Sequence, residues 1–377
     1  MKKVLLVATV QSHIAQFHKP LINLLHQKGC VVDVAAHNNL ELKNNLKLDE
    51  PDNIFEIPFS RSPFSVKNIK AYKMLKKLID ESDYDVVHCN TPVGGILTRI
   101  AGRKKRKEGT KIVYQAHGFH FFKGGSKLSW LIWYPIEKFF SKFADLIIVI
   151  NKMDFEIASR KFKANNVEKV PGVGVNLKQF TGESNVNLKK DYSLSDDCKM
   201  ILSVGELNKN KNQQVIIKAI AYANDKNIHY FIAGNGPLKE DLVELAKKLN
   251  VSNQVHFLGY RRDLIAIYNS VDLFVLPSLR EGLGMASIEA MSFGLPIVTS
   301  NRHGINDYSE NNVSGYKYDP KDYKGFAAGI KKILYDDELR NRMSANNKKT
   351  ATKFSLESSI EKMEEIYNGL LGVNCEN

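Results

Sequence analysis

The feature that most narrows the fold of this 377-residue chain is a pattern that runs along it twice. Short runs rich in valine and isoleucine alternate with amphipathic stretches of helical period. In the first half the runs cover 3–9 (KVLLVAT), 31–37 (VVDVAAH), 85–90 (DVVHCN), 112–118 (IVYQAHG) and 146–151 (LIIVIN). Helices are expected over 16–28, stopped by Gly29, and over 66–81. Apolar strands separated by helices mark a parallel sheet covered on both faces. The pattern breaks at VPGVGVNLKQF (170–180) and the polar 181–198, where the domain linker is expected. It restarts with runs at 199–205, 229–236, 255–260, 273–278 and 297–301. The reading is an α/β chain of two Rossmann-like, doubly wound parallel-sheet domains, 1–180 and 181–354. An amphipathic helix over 354–371, with Ser355 as possible N-cap, closes it. Two such domains leave a cleft facing the carboxyl ends of both sheets, where ligands of these folds bind.

Charge separates the two halves. Residues 1–180 hold 29 Lys and Arg against 16 Asp and Glu, whereas residues 181–377 hold 25 of each. All of the net +13 therefore sits in the first half, which points to an anionic partner there: a membrane surface, a nucleic acid or an acidic substrate. The densest cluster is Arg103-Lys104-Lys105-Arg106-Lys107, which also reads as a solvated helix end. Downstream, Phe119, Phe121, Phe122, Trp130, Trp133 and Tyr134 interleave with Lys123 and Lys127. That mixture suits a membrane interface and equally a core helix. No apolar run reaches a membrane span, and the start MKKVLLVATV reads as a buried strand rather than a leader. Cys30, Cys89, Cys198 and Cys375 show no metal or disulfide spacing. A cytoplasmic chain is expected.

Three segments could carry chemistry. In LPSLREGLGMASIEAM (276–291) a strand ends, a turn holds Gly282 and Gly284, and a helix starts near Met285. Amides at such a turn suit phosphate. Glu281 precedes the turn, and Glu289 lies eight residues on, near the same helix side. The two could hold different hydroxyl-bearing groups, or be an ordinary turn and helix residue. In VGELNKNKNQQ (204–214), Lys209 and Lys211 sit where a lysine can neutralise a diphosphate, or simply face water. In QAHGFHF (115–121), His117 ends a strand and is a candidate sugar or acid/base contact, though a lone histidine is more often structural. Two patterns are discounted. Gly234-Asn235-Gly236 lacks the third glycine of a dinucleotide fingerprint. Asp83-Tyr84-Asp85, a literal DxD, reads as a helix-to-strand connection.

Taken together, PSLREGLGMASIEAM, VGELNKNKN, AGNGPLKEDL, VHFLGYRRDL and VPGVGVNLKQF resemble glycosyltransferase family 4, the retaining GT-B enzymes. The first half (SHIAQFHKPL, VVHCNTPVGG, AHGFHFF) is most similar to the bacterial capsular and exopolysaccharide branch, the EpsD- and CapM-like enzymes. The resemblance implies a UDP-sugar donor in the second domain and, in the first, a polyprenyl-diphosphate-linked acceptor at the inner face of the plasma membrane. It implies that Glu281 contacts the transferred sugar, which is probed near the reacting centre by His117. Lys211 then neutralises the diphosphate, amides from Gly282 and Leu283 to Gly284 and Met285 cap the distal phosphate, and Glu289 holds the ribose. Gly205, Lys209, Tyr260 and Arg261 complete the nucleotide side, with Gly259-Tyr260-Arg261 framing the base. No metal and no other cofactor is implied, and the terminal helix (355–377) is expected to cross back onto the first domain. Two departures stand out. Glu206 occupies the position of the usual diphosphate-binding arginine, leaving Lys209 or Arg280 to substitute. Thr9-Val10-Gln11-Ser12-His13 replaces the usual Gly-Gly loop. Rival readings are a GT-B nucleotide-sugar epimerase, a transferase with a soluble acceptor and, remotely, a nucleic-acid-binding protein, for which no module is visible.

Overall fold

The computed structural model describes residues 1–43, 46–176 and 186–372. Two compact units emerge: Met1–Gly174 with Glu357–Asn377, and Val175–Leu356. The expected boundary at 180/181 lies outside the described residues.

The first unit is a seven-stranded parallel sheet in the order β3-β2-β1-β4-β5-β6-β7. Its strands are β1 (Lys3–Val10), β2 (Val31–His37), β3 (Asn53–Glu56), β4 (Val86–Asn90), β5 (Lys111–Ala116), β6 (Leu146–Val149) and β7 (Asn166–Lys169). The central strands β1, β4, β5 and β6 are buried on both faces, as their Val/Ile runs require. The edge strands β3 and β7 were not anticipated. They read NIFE and NVEK and lie largely exposed, so no continuous apolar run marks them. The helix expected over 16–28 is two pieces, Gln11–Phe17 and Lys19–Gln27, separated at His18. Pro20 opens the second piece, where its missing N–H costs nothing.

The second unit is a six-stranded parallel sheet in the order β10-β9-β8-β11-β12-β13. It comprises β8 (Lys199–Val204), β9 (Ile228–Ala233), β10 (Val255–Gly259), β11 (Leu273–Leu276), β12 (Ile297–Ser300) and the unanticipated edge strand β13 (Gly315–Tyr318). Ile201, Tyr230, Val275 and Val298 meet helical Ile216, Ile220, Phe326 and Ile330 in its core.

The terminal helix, Leu356–Leu371, belongs to the first unit. Tyr367 lies in hydrogen-bond contact with His88 Nδ1 (2.8 Å), Ser359 Oγ donates to Gly172 O (2.6 Å), and Lys28 pairs with Glu364.

Several charged and aromatic residues settle in structural roles. Arg106 pairs with Asp145, Lys105 with Asp83, and Arg103 lies 4.6 Å from the Phe143 ring. Phe119, Phe121 and Phe122 are buried, and Trp130 Nε1 donates to Phe122 O, so the aromatic run forms core. Arg99 and Glu137 make a buried ion pair at 2.8 Å, shared with Tyr114. In Asp83-Tyr84-Asp85, Asp85 accepts from Lys3 N and Tyr84 donates to Asp33. This tripeptide pins the amino end of the sheet, away from the ligand-binding edge.

Candidate active site

At the carboxyl edge of the second unit, two loops are laced together by asparagines. After β8 the chain turns at Gly205 (φ 150°) and runs through Asn208-Lys209-Asn210-Lys211-Asn212. Asn208 Oδ1 accepts from Lys211 N (3.0 Å), and its Nδ2 donates to Glu206 Oε2 (2.9 Å). Asn210 Nδ2 donates to Arg280 O (2.9 Å) while Asn210 O accepts from Leu279 N (2.8 Å). Asn212 Nδ2 donates to Pro277 O (3.0 Å) and Pro320 O (2.8 Å). Alternation therefore sorts the five residues: asparagines hold the loop, and lysines are left for the site. The asparagines were missed at the sequence level, although an N-x-N-x-N pattern in a strand-to-helix loop was signal enough.

The two lysines separate. Lys211 Nζ lies 2.7 Å from Glu281 Oε1, with both side chains mostly buried. Its stem passes over Gly205, where a Cβ would stand 3.1 Å from Lys211 Cε. Lys209 and Glu206 are exposed. Gly234 and Gly236 serve packing: a Cβ at Gly234 would lie 2.0 Å from Gly205 O, and one at Gly236 2.4 Å from Leu207 O.

Beyond Glu281 the turn is equally tight. Gly304 N donates to Glu281 O (3.1 Å), and a Cβ on Gly304 would meet Gly282 O at 1.9 Å. Leu283 is buried, and Gly284 (φ 82°) starts the helix Met285–Ser292, which no side chain caps. A start without a side-chain cap leaves its first amides to other acceptors. Glu289, on the same helix, accepts from Tyr268 Oη (3.0 Å). Burial pushes its carboxyl above the usual range, and the tyrosine bond opposes that shift. Beside these loops, Gly259 O accepts from Gly234 N (2.7 Å). Tyr260 is exposed, and Arg261 is held by Asp263 at 2.8 and 2.5 Å. Gly205, Lys211, Glu281 and the 282–285 turn are thus one locus. Glu289 is held separately by Tyr268, Arg261 is already engaged, and Lys209 stands apart.

In the first unit, His117 is not alone. It follows β5, and its Nε2 lies 3.3 Å from His13 Nε2 and 3.3 Å from Asn90 Oδ1. His18 is packed 5.7 Å from His117 and 6.1 Å from His88, ring to ring. Four imidazoles therefore gather around the carboxyl ends of β1, β4 and β5. Burial lowers all four, His117 to about 4, His88 to about 3, and His13 and His18 well below 6.5. Mutual repulsion adds to this for His13, His18 and His88. All are neutral at pH 7. The ring nitrogens of His13, His18 and His117 lie within 4.8 Å of one another, a donor set that could hold a zinc-type ion. His18 Nε2, His88 Nε2 and Asn90 Nδ2 are buried without a hydrogen-bond partner among the described residues. Only His117 of this cluster was singled out from sequence. The five-residue spacing of His13 and His18, straight after a buried strand, was the available signal.

Among the described residues no helix is long and apolar enough to cross a membrane. The chain matches the family model "Glycosyl transferase 4-like" over residues 3–151 and "Glycosyl transferases group 1" over residues 185–350. It is 35% identical to the putative glycosyltransferase EpsD of Bacillus subtilis, across 100% of this chain and 98% of that protein. It is 29% identical to the UDP-Gal:α-D-GlcNAc-diphosphoundecaprenol α-1,3-galactosyltransferase of Escherichia coli, across 85% of this chain and 84% of that one. Among solved structures, Anabaena HepE in complex with UDP superposes with a TM-score of 0.75 at 18% identity, covering 98% of this chain and 100% of that one. The structural likeness is one of fold, the GT-B type.

Proposed function

The chain belongs to the glycosyltransferase group 1 family, as a glycosyltransferase of bacterial polysaccharide biosynthesis, and from that premise we propose that it moves a sugar from a UDP-sugar to a polyprenyl-diphosphate-linked acceptor with retention at the anomeric carbon. The transferred sugar is read as an N-acetylated hexosamine type. The observation that carries the donor side is the Lys211–Glu281 pair beside a helix start that no side chain caps. Lys211 and the amides from Gly282 to Met285 neutralise the departing diphosphate, so no metal is assigned to it. Glu281, already bound by an ammonium, is a weak nucleophile and serves better as a hydrogen-bond acceptor for sugar hydroxyls. The acceptor oxygen then bonds to the anomeric carbon on the face from which UDP leaves. The bonding pair departs with UDP, and the acceptor proton passes to a diphosphate oxygen.

Glu289 is placed on the ribose hydroxyls, Tyr260 and Arg261 near the base, and Gly205 under the Lys211 stem. Lys209 stands in for the arginine that Glu206 replaces. His117, at the first unit's carboxyl edge, contacts the sugar near the reacting carbon. The uridine assignment is supported by the UDP held in HepE, and the lipid-linked acceptor by the diphosphoundecaprenol substrate in the Escherichia coli relative's name. The +13 excess in the first 180 residues supports an anionic acceptor and a peripheral position on the inner face of the plasma membrane. A nucleic-acid partner is not part of this reading, because the sequence carries no recognisable binding module for one.

The test is nucleotide release from a panel of UDP-, GDP- and ADP-sugars, with and without a polyprenyl-diphosphate sugar. The expected result is release from one UDP-sugar that the lipid acceptor stimulates. Turnover into a new nucleotide sugar without acceptor would make the protein an epimerase and overturn the reading.

A further inference from the structure

The helix Lys127–Ser141 is inverted relative to an ordinary surface helix. Trp130, Trp133, Tyr134 and Glu137 face inward: Trp130 and Tyr134 pack against Phe121, Trp133 stacks on His120, and Glu137 is buried against Arg99. These contacts fix its rotation. The face turned outward carries Leu128 (63% exposed), Leu131 (74%), Ile132 (44%) and Phe139 (53%), with the exposed Pro135 between. The spacings of 3, 4, 7 and 11 from Leu128 make one continuous stripe about 16 Å long. A second apolar patch lies at the start of the helix Lys67–Glu81, where Phe64 is 94%, Val66 78% and Ile69 60% exposed.

Topology puts the two patches together. The connections β3 to β4, β4 to β5 and β5 to β6 all step the same way across the sheet, so right-handed crossovers place their helices on one face. Both patch-bearing helices contact the helix Pro92–Ala101 between them. Both also follow a strand's carboxyl end, so Phe64 and Leu128 lie at the same edge of the sheet, the edge that holds His117. The charge around them has one sign. Residues 57–79 contain six Lys and Arg and no acid, and residues 109–136 contain three lysines and no acid. Lys123 and Lys127 are exposed next to Leu128, and Lys142 lies 3.8 Å from the Phe139 ring.

We propose that this apolar rim, the outward face of Lys127–Ser141 together with Phe64, Val66 and Ile69, is the surface by which the first unit seats on an anionic lipid bilayer. Aliphatic side chains enter the acyl boundary while the flanking lysines meet headgroup phosphates. The inference rests on the membrane-bound acceptor proposed above and assigns that contact to particular side chains. The sequence alone leaves the aromatics and Arg103–Lys107 open between a membrane contact and a core or solvated role, and the rim is a different set of side chains.

Co-sedimentation of the full chain with vesicles of phosphatidylglycerol and phosphatidylcholine, against phosphatidylcholine alone, tests it. The wild type is expected to prefer the anionic vesicles and to lose that preference in high salt. The variant Leu128→Ser, Leu131→Ser, Ile132→Ser is expected to bind them about tenfold more weakly. Its circular dichroism and its turnover of a short-chain, water-soluble acceptor should be unchanged, because these side chains are exposed. Adding Phe64→Ser should weaken binding further. Equal vesicle binding by wild type and triple variant would overturn this assignment and leave membrane association standing. No binding by the wild type to either vesicle would overturn both. A wild-type dimer that the triple variant converts to monomer, with vesicle binding intact, would assign the rim to a second copy of the chain.

Discussion

The two units present their carboxyl edges in opposite electrical states. In the second, a lysine and a carboxylate meet at 2.7 Å in a partly buried turn, and both loops around them are locked by asparagine amides and glycine contacts. In the first, four imidazoles are buried close together and stay neutral. The same strand-helix-strand topology therefore builds a charged cradle in one place and an uncharged polar cluster in the other. The lesson is that topology supplies the edge and the loop residues decide its chemistry.

The largest effect that would break this contrast is expected from Lys211→Ala. Loss of the ammonium beside Glu281 should cut kcat by about 1000-fold with an unchanged melting transition. Near-wild-type turnover would remove Lys211 from the mechanism. Glu281→Gln should follow, with about 100-fold lower kcat and a smaller loss of UDP affinity by calorimetry. A trapped glycosyl-enzyme adduct would instead make Glu281 a nucleophile. Gly304→Ala forces a Cβ against Gly282 O, and should destabilise the second unit by about 1–3 kcal/mol in urea unfolding while distorting the turn. Lys209→Ala should cut kcat by about tenfold, less than Lys211→Ala, because Lys209 meets the diphosphate from an exposed position where water screens its charge.

The first unit is probed by acid. Its histidines titrate lower when folded than the ordinary 6.5, so the unfolded chain binds more protons between pH 6.5 and the folded values. Stability is fully present above pH 6.5. It should fall as the pH drops toward about 4, where His117 charges, by about 1.4 kcal/mol per pH unit for each fully shifted histidine. Denaturant midpoints measured across that range check the sign. His13→Asn should flatten the slope, because it removes one of the shifted groups.

Much of this was legible because buried parallel strands must be apolar along their whole length, so the central strands of both sheets appear as Val/Ile runs. The edge strands β3, β7 and β13 pair on one side only and carry Asn, Glu and Lys, which hid them. The Glu281 turn was readable because glycine spacing around it is dictated by backbone contact. The histidine cluster was not, since it joins residues 13, 18, 88 and 117 from three strand ends, and only the sheet order brings them together. The charge run at 103–107 reads both ways in the sequence, because composition records how many cations are present, whereas Asp145, Asp83 and the Phe143 ring decide which of them are already engaged.

The return of Leu356–Leu371 to the first unit has a consequence for synthesis. The ribosome completes the second unit as an insert before it makes the piece that finishes the first. Until residues past 357 emerge, His88 has no Tyr367 and Gly172 O has no Ser359. The nascent first unit therefore waits, unfinished, while residues 175–356 are made. A stop codon near residue 356 would damage the amino-terminal half of the protein and spare the half in which it falls.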